Sequence, residues 1–194
     1  MKKQATLIFV LLMLLASRGY SMECNKGLLE TQAIQQIEYL RRWYANATDL
    51  IGVATPQSIA EGRAIYRRIF AKEAQLYAGS DDEPRVGPEA WAELVLEALG
   101  DLGPTQHLIG TQLVKIKSLK FDDDCNIVTG SAYMESYVQA WHELKDDRVW
   151  LFLGTYEDDV GYTSGGGWQI ERMHLRQVSA ERRYRDTAVG RAAD

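Results

Sequence analysis

Between Thr31 and Ile51 the apolar positions Ile34, Ile37, Leu40, Tyr44, Ala47 and Ile51 recur at steps of three and four. That period predicts a helix with one buried face, and it puts Asp49 in the last turn. Thr55-Pro56 opens a second helix, threonine as cap and proline at the first helical position, with Ile59, Ala64, Ile65 and Ile69 as its apolar side. A short strand is expected over Ala74–Tyr77. The polar stretch 78–85 holds Gly79, Ser80 and Pro84 and reads as a loop, after which Pro88 starts a third helix that ends near Leu99.

Beyond Gly100 the period changes to two. Strands are predicted at roughly Gln106–Leu119, Ile127–His142, Val149–Glu157 and Trp168–Ser179. Helices first and long antiparallel strands afterwards give an α+β domain: about three helices packed on a strongly bent, mainly antiparallel sheet that can curl into a cone around a pocket. Alternation along the second long strand puts Met134, Val138, Ala140 and His142 on one face and Tyr133, Tyr137 and Trp141 on the other.

Lys2 and Lys3, the apolar run Ala5–Ala16 and the small-residue exit Gly19-Tyr20-Ser21 read as an export signal over residues 1–21. Initiation at Met22 is the competing reading, and Glu23 before Cys24 argues against a lipidated cysteine. The run is shorter than the roughly 20 residues a bilayer needs, so no stable membrane insertion is expected once the signal is removed. A soluble periplasmic or secreted protein follows, with residues 22–30 as an extension, one domain over 31–179 and a charged tail over 180–194.

The whole chain carries 22 basic and 27 acidic residues, and loss of the signal removes three of the cations. Nucleic acid is therefore not an expected partner, and Arg182, Arg183 and Arg185 in the tail receive no function. Cys24 and Cys125 are the two cysteines; an oxidising compartment would permit a bridge, and two free thiols are the alternative.

Only three histidines are present. Asp49 with His107 forms a candidate base, because a carboxylate fixes the tautomer of an imidazole and stabilises the imidazolium once formed. His142 is the candidate proton donor facing it. A satisfied polar pair that ties the helix to the sheet would account for Asp49 and His107 equally well. His174 reads as structural, Tyr44 and Trp91 as pocket walls, and Arg172 as a residue that steers an anionic group or pairs with Glu171 or Asp158. No cysteine or histidine pair has metal-ligand spacing, and Asp122-Asp123-Asp124 is better read as a hairpin turn than as a calcium loop, so neither metal nor cofactor is expected.

Tyr44-Ala45-Asn46-Ala47-Thr48-Asp49, Thr105-Gln106-His107-Leu108-Ile109-Gly110, Tyr137 to His142, Gly154-Thr155-Tyr156-Glu157-Asp158 and Gly167-Trp168-Gln169-Ile170-Glu171-Arg172, in this order, resemble the SnoaL-like branch of the NTF2-like superfamily. Polyketide cyclases, scytalone dehydratase and a hexachlorocyclohexane dehydrochlorinase belong to that superfamily. The resemblance covers about Thr31 to Val178. It implies a cofactor-independent lyase or isomerase of the dehydratase type acting on a small hydrophobic carbonyl compound, with catalytic Asp49, His107 and His142, and Arg172 at or behind the cavity. A non-catalytic module binding a hydrophobic ligand is the other reading. Thr48 stands where the dehydratase type has a tyrosine, and Tyr44 where the dehydrochlorinase type has a lysine. The resemblance also implies an extended hairpin around Asp122–Asn126, a long loop over Asp158–Gly167 near the cavity mouth, and a homodimer or homotrimer formed through the outer sheet face.

Overall fold

Helix α1 runs over Lys26–Gly52, starting before Thr31 because the Asn25 side chain accepts the Leu28 amide at 3.1 Å and caps it. In this computed structural model, residues 24–80 and 82–184 are described; the expected export signal and the chain beyond Tyr184 lie outside them. Ile37, Leu40, Tyr44, Ala47 and Ile51 lie on the buried face of α1, as the period predicts, while Ala33 rather than Ile34 is its buried residue in the first turns.

Helix α2 (Pro56–Ile69) has Thr55 as its cap, reinforced by Ser58 in a reciprocal capping box. Its buried face differs from the predicted one. Ser58, Gly62, Tyr66 and Ile69 turn inward, whereas Ala64 is exposed. Gly62 explains the rotation: a Cβ there would sit 2.6 Å from Ile51 and 2.8 Å from the Ala47 carbonyl, so only glycine lets α2 lie this close to α1.

The remaining elements are β1 (Phe70–Ala78), β2 (Arg85–Val86), α3 (Gly87–Leu99), β3 (Thr105–Phe121), β4 (Ile127–Glu143), β5 (Arg148–Thr163) and β6 (Gly167–Tyr184). They form one curled, unclosed six-stranded sheet in the order β2-β1-β6-β5-β4-β3. All pairings are antiparallel except β1 with β6. The three helices cover one face, and the core between the layers is built from Ile37, Tyr44, Tyr66, Trp91, Met134, Val138, Tyr156 and Ile170, among others.

Three strands outrun their expected ends. β1 starts directly after α2, β5 continues through Asp158 to Thr163, and β6 reaches Tyr184. The long loop expected over Asp158–Gly167 is thus a tight turn at residues 164–166, and the start of the charged tail is sheet. In both places local polarity misleads because the partner strand supplies the pairing.

Asp122 closes the expected β3–β4 hairpin by accepting the amides of Asp124 and Asn126 at 3.0 and 2.8 Å. Cys125, in left-handed backbone geometry (φ 67°), bonds to Cys24 across 101 residues of chain. Closing a loop of that length removes conformational freedom from the unfolded chain, a stabilisation of about 5 kcal/mol in the chain-entropy picture. The bridge ties the residues just before α1 to the tip of the β3–β4 hairpin.

Candidate active site

The last turn of α1 crosses the first residues of β3. Gly52 makes the approach possible, since a Cβ there would stand 3.1 Å from the Thr105 hydroxyl. Asp49, one turn earlier, reaches β3 and accepts three bonds. They come from His107 Nδ1 at 2.7 Å, the His107 backbone amide at 3.1 Å and the Thr105 hydroxyl at 3.1 Å. One residue therefore grips the carboxylate twice, which fixes both tautomer and rotamer of the His107 ring: Nδ1 carries the proton and Nε2 is left as a lone pair.

Register across the sheet places Thr105, His142, Trp150 and Arg182 in one row, with His107, Ala140, Phe152 and Ala180 in the next. His142 meets His107 edge to face at 5.4 Å and stacks on Trp150 at 4.5 Å. Its Nδ1 lies 3.1 Å from the Trp150 carbonyl. A carbonyl only accepts, so Nδ1 bears the hydrogen and Nε2 is again an acceptor. Burial, with the neighbouring His107 adding to it, pushes the His142 pKa down to about 4. The expectation that His142 is a proton donor is corrected accordingly: near neutral pH it is an uncharged acceptor.

That depression has a measurable consequence. Below about pH 6.5 the unfolded chain takes up a proton at His142 that the folded protein refuses, so stability is present above that pH and is lost as pH falls toward 4. The full effect is about 3 kcal/mol. Urea unfolding at pH 7, 5.5 and 4 should show it, and His142→Gln should flatten the dependence; parallel curves for the two proteins would contradict the assignment.

Both imidazoles face a cavity of about 200 Å³. Its hydrocarbon wall comes from Leu94, Val95 and Leu99 of α3 and from Ala140, Phe152 and Leu175 of the sheet, and its polar floor from Tyr44, Thr48 and Tyr156. Tyr44 and Trp91 both line the cavity, and the Trp91 indole donates to the Tyr44 hydroxyl at 3.1 Å. Burial raises the Tyr44 phenol against the opposing pull of Arg41, so the group stays protonated, and its hydroxyl borders the cavity floor while accepting from Trp91. Thr48 gives its hydrogen to the Tyr44 carbonyl at 2.9 Å, which makes Tyr66 the donor of the 2.6 Å bond between their hydroxyls.

Arg172 is not in this wall. It is exposed, over the Tyr77 ring at 5.4 Å, because strand alternation turns it away from the face that carries Met173. Asp158 is not its partner; it is buried and bound to Arg41, whose guanidinium lies 3.8 Å from the Tyr156 ring centre and 4.5 Å from that of Tyr44. Sequence reasoning missed this pair, although Arg41 does fall on the apolar side of α1. His174 has the structural role expected, lying 2.9 Å from the Gly79 carbonyl. Among the described residues no cluster of three or more metal-ligating side chains occurs, and no helix is long and apolar enough to cross a membrane.

The fold is similar to that of the Kfla4162 protein of Kribbella flavida, at 20% identity and a TM-score of 0.61, over 78% of this chain and 95% of that one. A protein provisionally named a scytalone dehydratase, from Novosphingobium aromaticivorans, is similar at 19% identity and TM-score 0.57, over 86% and 97%. Hexachlorocyclohexane dehydrochlorinase LinA-type3 of Novosphingobium barchaimii is similar at 13% and 0.60, over 82% and 94%. At these identities the likeness speaks for the fold alone. No curated protein sequence matches the chain. The model of the SnoaL-like domain matches residues 62–174, a stretch that includes His107, His142 and most of the cavity wall, and the chain belongs to that family.

Proposed function

We propose that this chain is an exported, cofactor-independent lyase or isomerase of the dehydratase type, acting on a compact apolar carbonyl compound. The carrying observation is the doubly held Asp49–His107 pair, whose ring lines a largely hydrocarbon cavity of about 200 Å³. A space of that order accommodates roughly one substituted ring.

His107 Nε2 takes a proton from the carbon next to the carbonyl, the bond's electrons pass into an enolate, and Asp49 stabilises the resulting imidazolium. The Tyr44 O–H meets the enolate oxygen. His142, being uncharged, does not supply the second proton. The same proton therefore leaves His107 Nε2 for the departing hydroxyl, the C–O bond breaks and water forms; in an isomerase it returns to a different carbon. His142 Nε2 accepts from the substrate hydroxyl and aligns it beside His107.

The dehydratase and dehydrochlorinase names among the structural relatives agree with proton abstraction as the shared step. Export is supported by the leader-like residues 1–21 and by the Cys24–Cys125 bridge. Exposed Leu108, Leu113, Tyr137, Leu153 and Val178 give the outer sheet face an apolar strip that supports self-association as a dimer or trimer. Incubation with a panel of β-hydroxy ketones tests the reaction: conversion to enone by the wild type and not by Asp49→Asn is expected, and binding without conversion across the panel would favour a ligand carrier.

A further inference from the structure

Arg182 shares the inner face of the sheet with the catalytic pair. Cross-strand register aligns it with Trp150 and, through Trp150, with His142. Its guanidinium lies over the Trp150 ring, 5.8 Å from the centre, while the opposite face of β6 carries Glu181 and Arg183, which pair with each other at 3.6 Å. Nearby Arg148 is satisfied by Asp146. Arg182 forms no ion pair among the described residues, and it stays exposed. Among the described residues, then, a guanidinium without an ion pair stands against Trp150, whose ring lines the cavity beside His142. Two strand spacings, about 10 Å, separate it from His142.

We propose that Arg182 is the specificity residue of this site, and that the ligand is a one-ring carbonyl compound carrying a carboxylate, with the carbonyl at the Tyr44–His107 end and the carboxylate at Arg182. This rests on the ligand-binding reading above and extends it to the substrate's charge. His107 lies one strand further on, so its backbone is three spacings, about 14 Å, from that of Arg182; the two side chains and a ring substituted at opposite positions together bridge that gap, and a planar carboxylate matches the fork of arginine in two parallel bonds. A cation–π contact with Trp150 favours this position of the guanidinium before the ligand arrives. Asp49 opposes an anion so placed only weakly, since it lies against β3, three strands from Arg182.

The test compares 4-acetylbenzoate with the uncharged isostere 4-acetylbenzamide, their dissociation constants read by calorimetry or quenching of tryptophan fluorescence. Wild-type protein is expected to bind the carboxylate about tenfold more tightly than the amide, a preference that shrinks with added salt. Arg182→Gln should weaken the carboxylate alone, bringing the two constants together, and Arg182→Lys should restore part of the difference. Because Arg182 is exposed, these variants should fold normally, and unchanged amide affinity checks that they do. Equal affinities in the wild type, or a preference that survives Arg182→Gln, would overturn the proposal while leaving the base pair standing. Failure of both probes to bind would overturn it together with the ligand-binding reading.

Discussion

Replacing His107 by glutamine is expected to lower turnover by about two to four orders of magnitude while ligand dissociation constants change only a few-fold. The ring contributes little to the cavity's hydrocarbon wall, so ground-state binding survives its loss; proton abstraction does not, because no other group in the wall can take over. Tyr44 is held protonated by burial, and His142, though uncharged, is kept from taking up a proton by its burial, which the attraction of Asp49 does not offset. Asp49→Asn should produce a loss of similar size by a different route. The carboxamide still reaches the ring, but it does not stabilise the imidazolium, and its NH2 can select the wrong tautomer. Steady-state kinetics alongside equilibrium binding separates the two effects: a drop in kcat with unchanged affinity is the expected pattern, and equal losses in both would mean that His107 only holds the fold.

The largest stability effect should come from Arg41→Leu. Arg41 and Asp158 are both fully buried, and burial pushes the Asp158 carboxyl above its ordinary value while Arg41 pulls it back. Removing the cation leaves a carboxylate without its partner between α1 and the sheet, at a cost of about 3 to 5 kcal/mol. For a domain of this size that is a fall in Tm of about 10 °C or more. The double variant Arg41→Leu, Asp158→Leu should recover much of the loss, since a hydrophobic pair no longer needs compensation. Thermal unfolding of the three proteins decides it; an additive double variant would mean that the two side chains do not act as a pair. The same cation lies against Tyr44 and Tyr156, so the single variant also disturbs the cavity floor.

Much of this was legible from periodicity. The apolar steps of α1 placed Asp49 correctly, and alternation along β4 put His142 on the buried face. Asp49 and His107 meet as expected because the helix end and the strand start are each locally encoded, and Gly52 allows the crossing. What failed depended on partners distant in sequence. Asp158 reads as a surface acid until Arg41, 117 residues away, is brought against it. Arg172 was assigned to the cavity by resemblance, yet strand alternation turns it outward, and the register shift around Val178 reverses the alternation so that Arg182 reaches the inner face. The His142 role turned on a backbone carbonyl, that of Trp150, which no side-chain pattern reveals.

Proton abstraction by His107 can be observed without knowing the natural substrate. Acetophenone-type ketones such as 4-acetylbenzoate and 4-acetylbenzamide, incubated with the protein in deuterium oxide, should gain deuterium at the methyl group, followed by NMR. The wild type is expected to accelerate the exchange, with His107→Gln reduced to the rate of buffer alone. Ketones that bind the wild type but exchange no faster than in buffer, or exchange equally fast with His107→Gln, would contradict the assignment of Asp49 and His107 as the base.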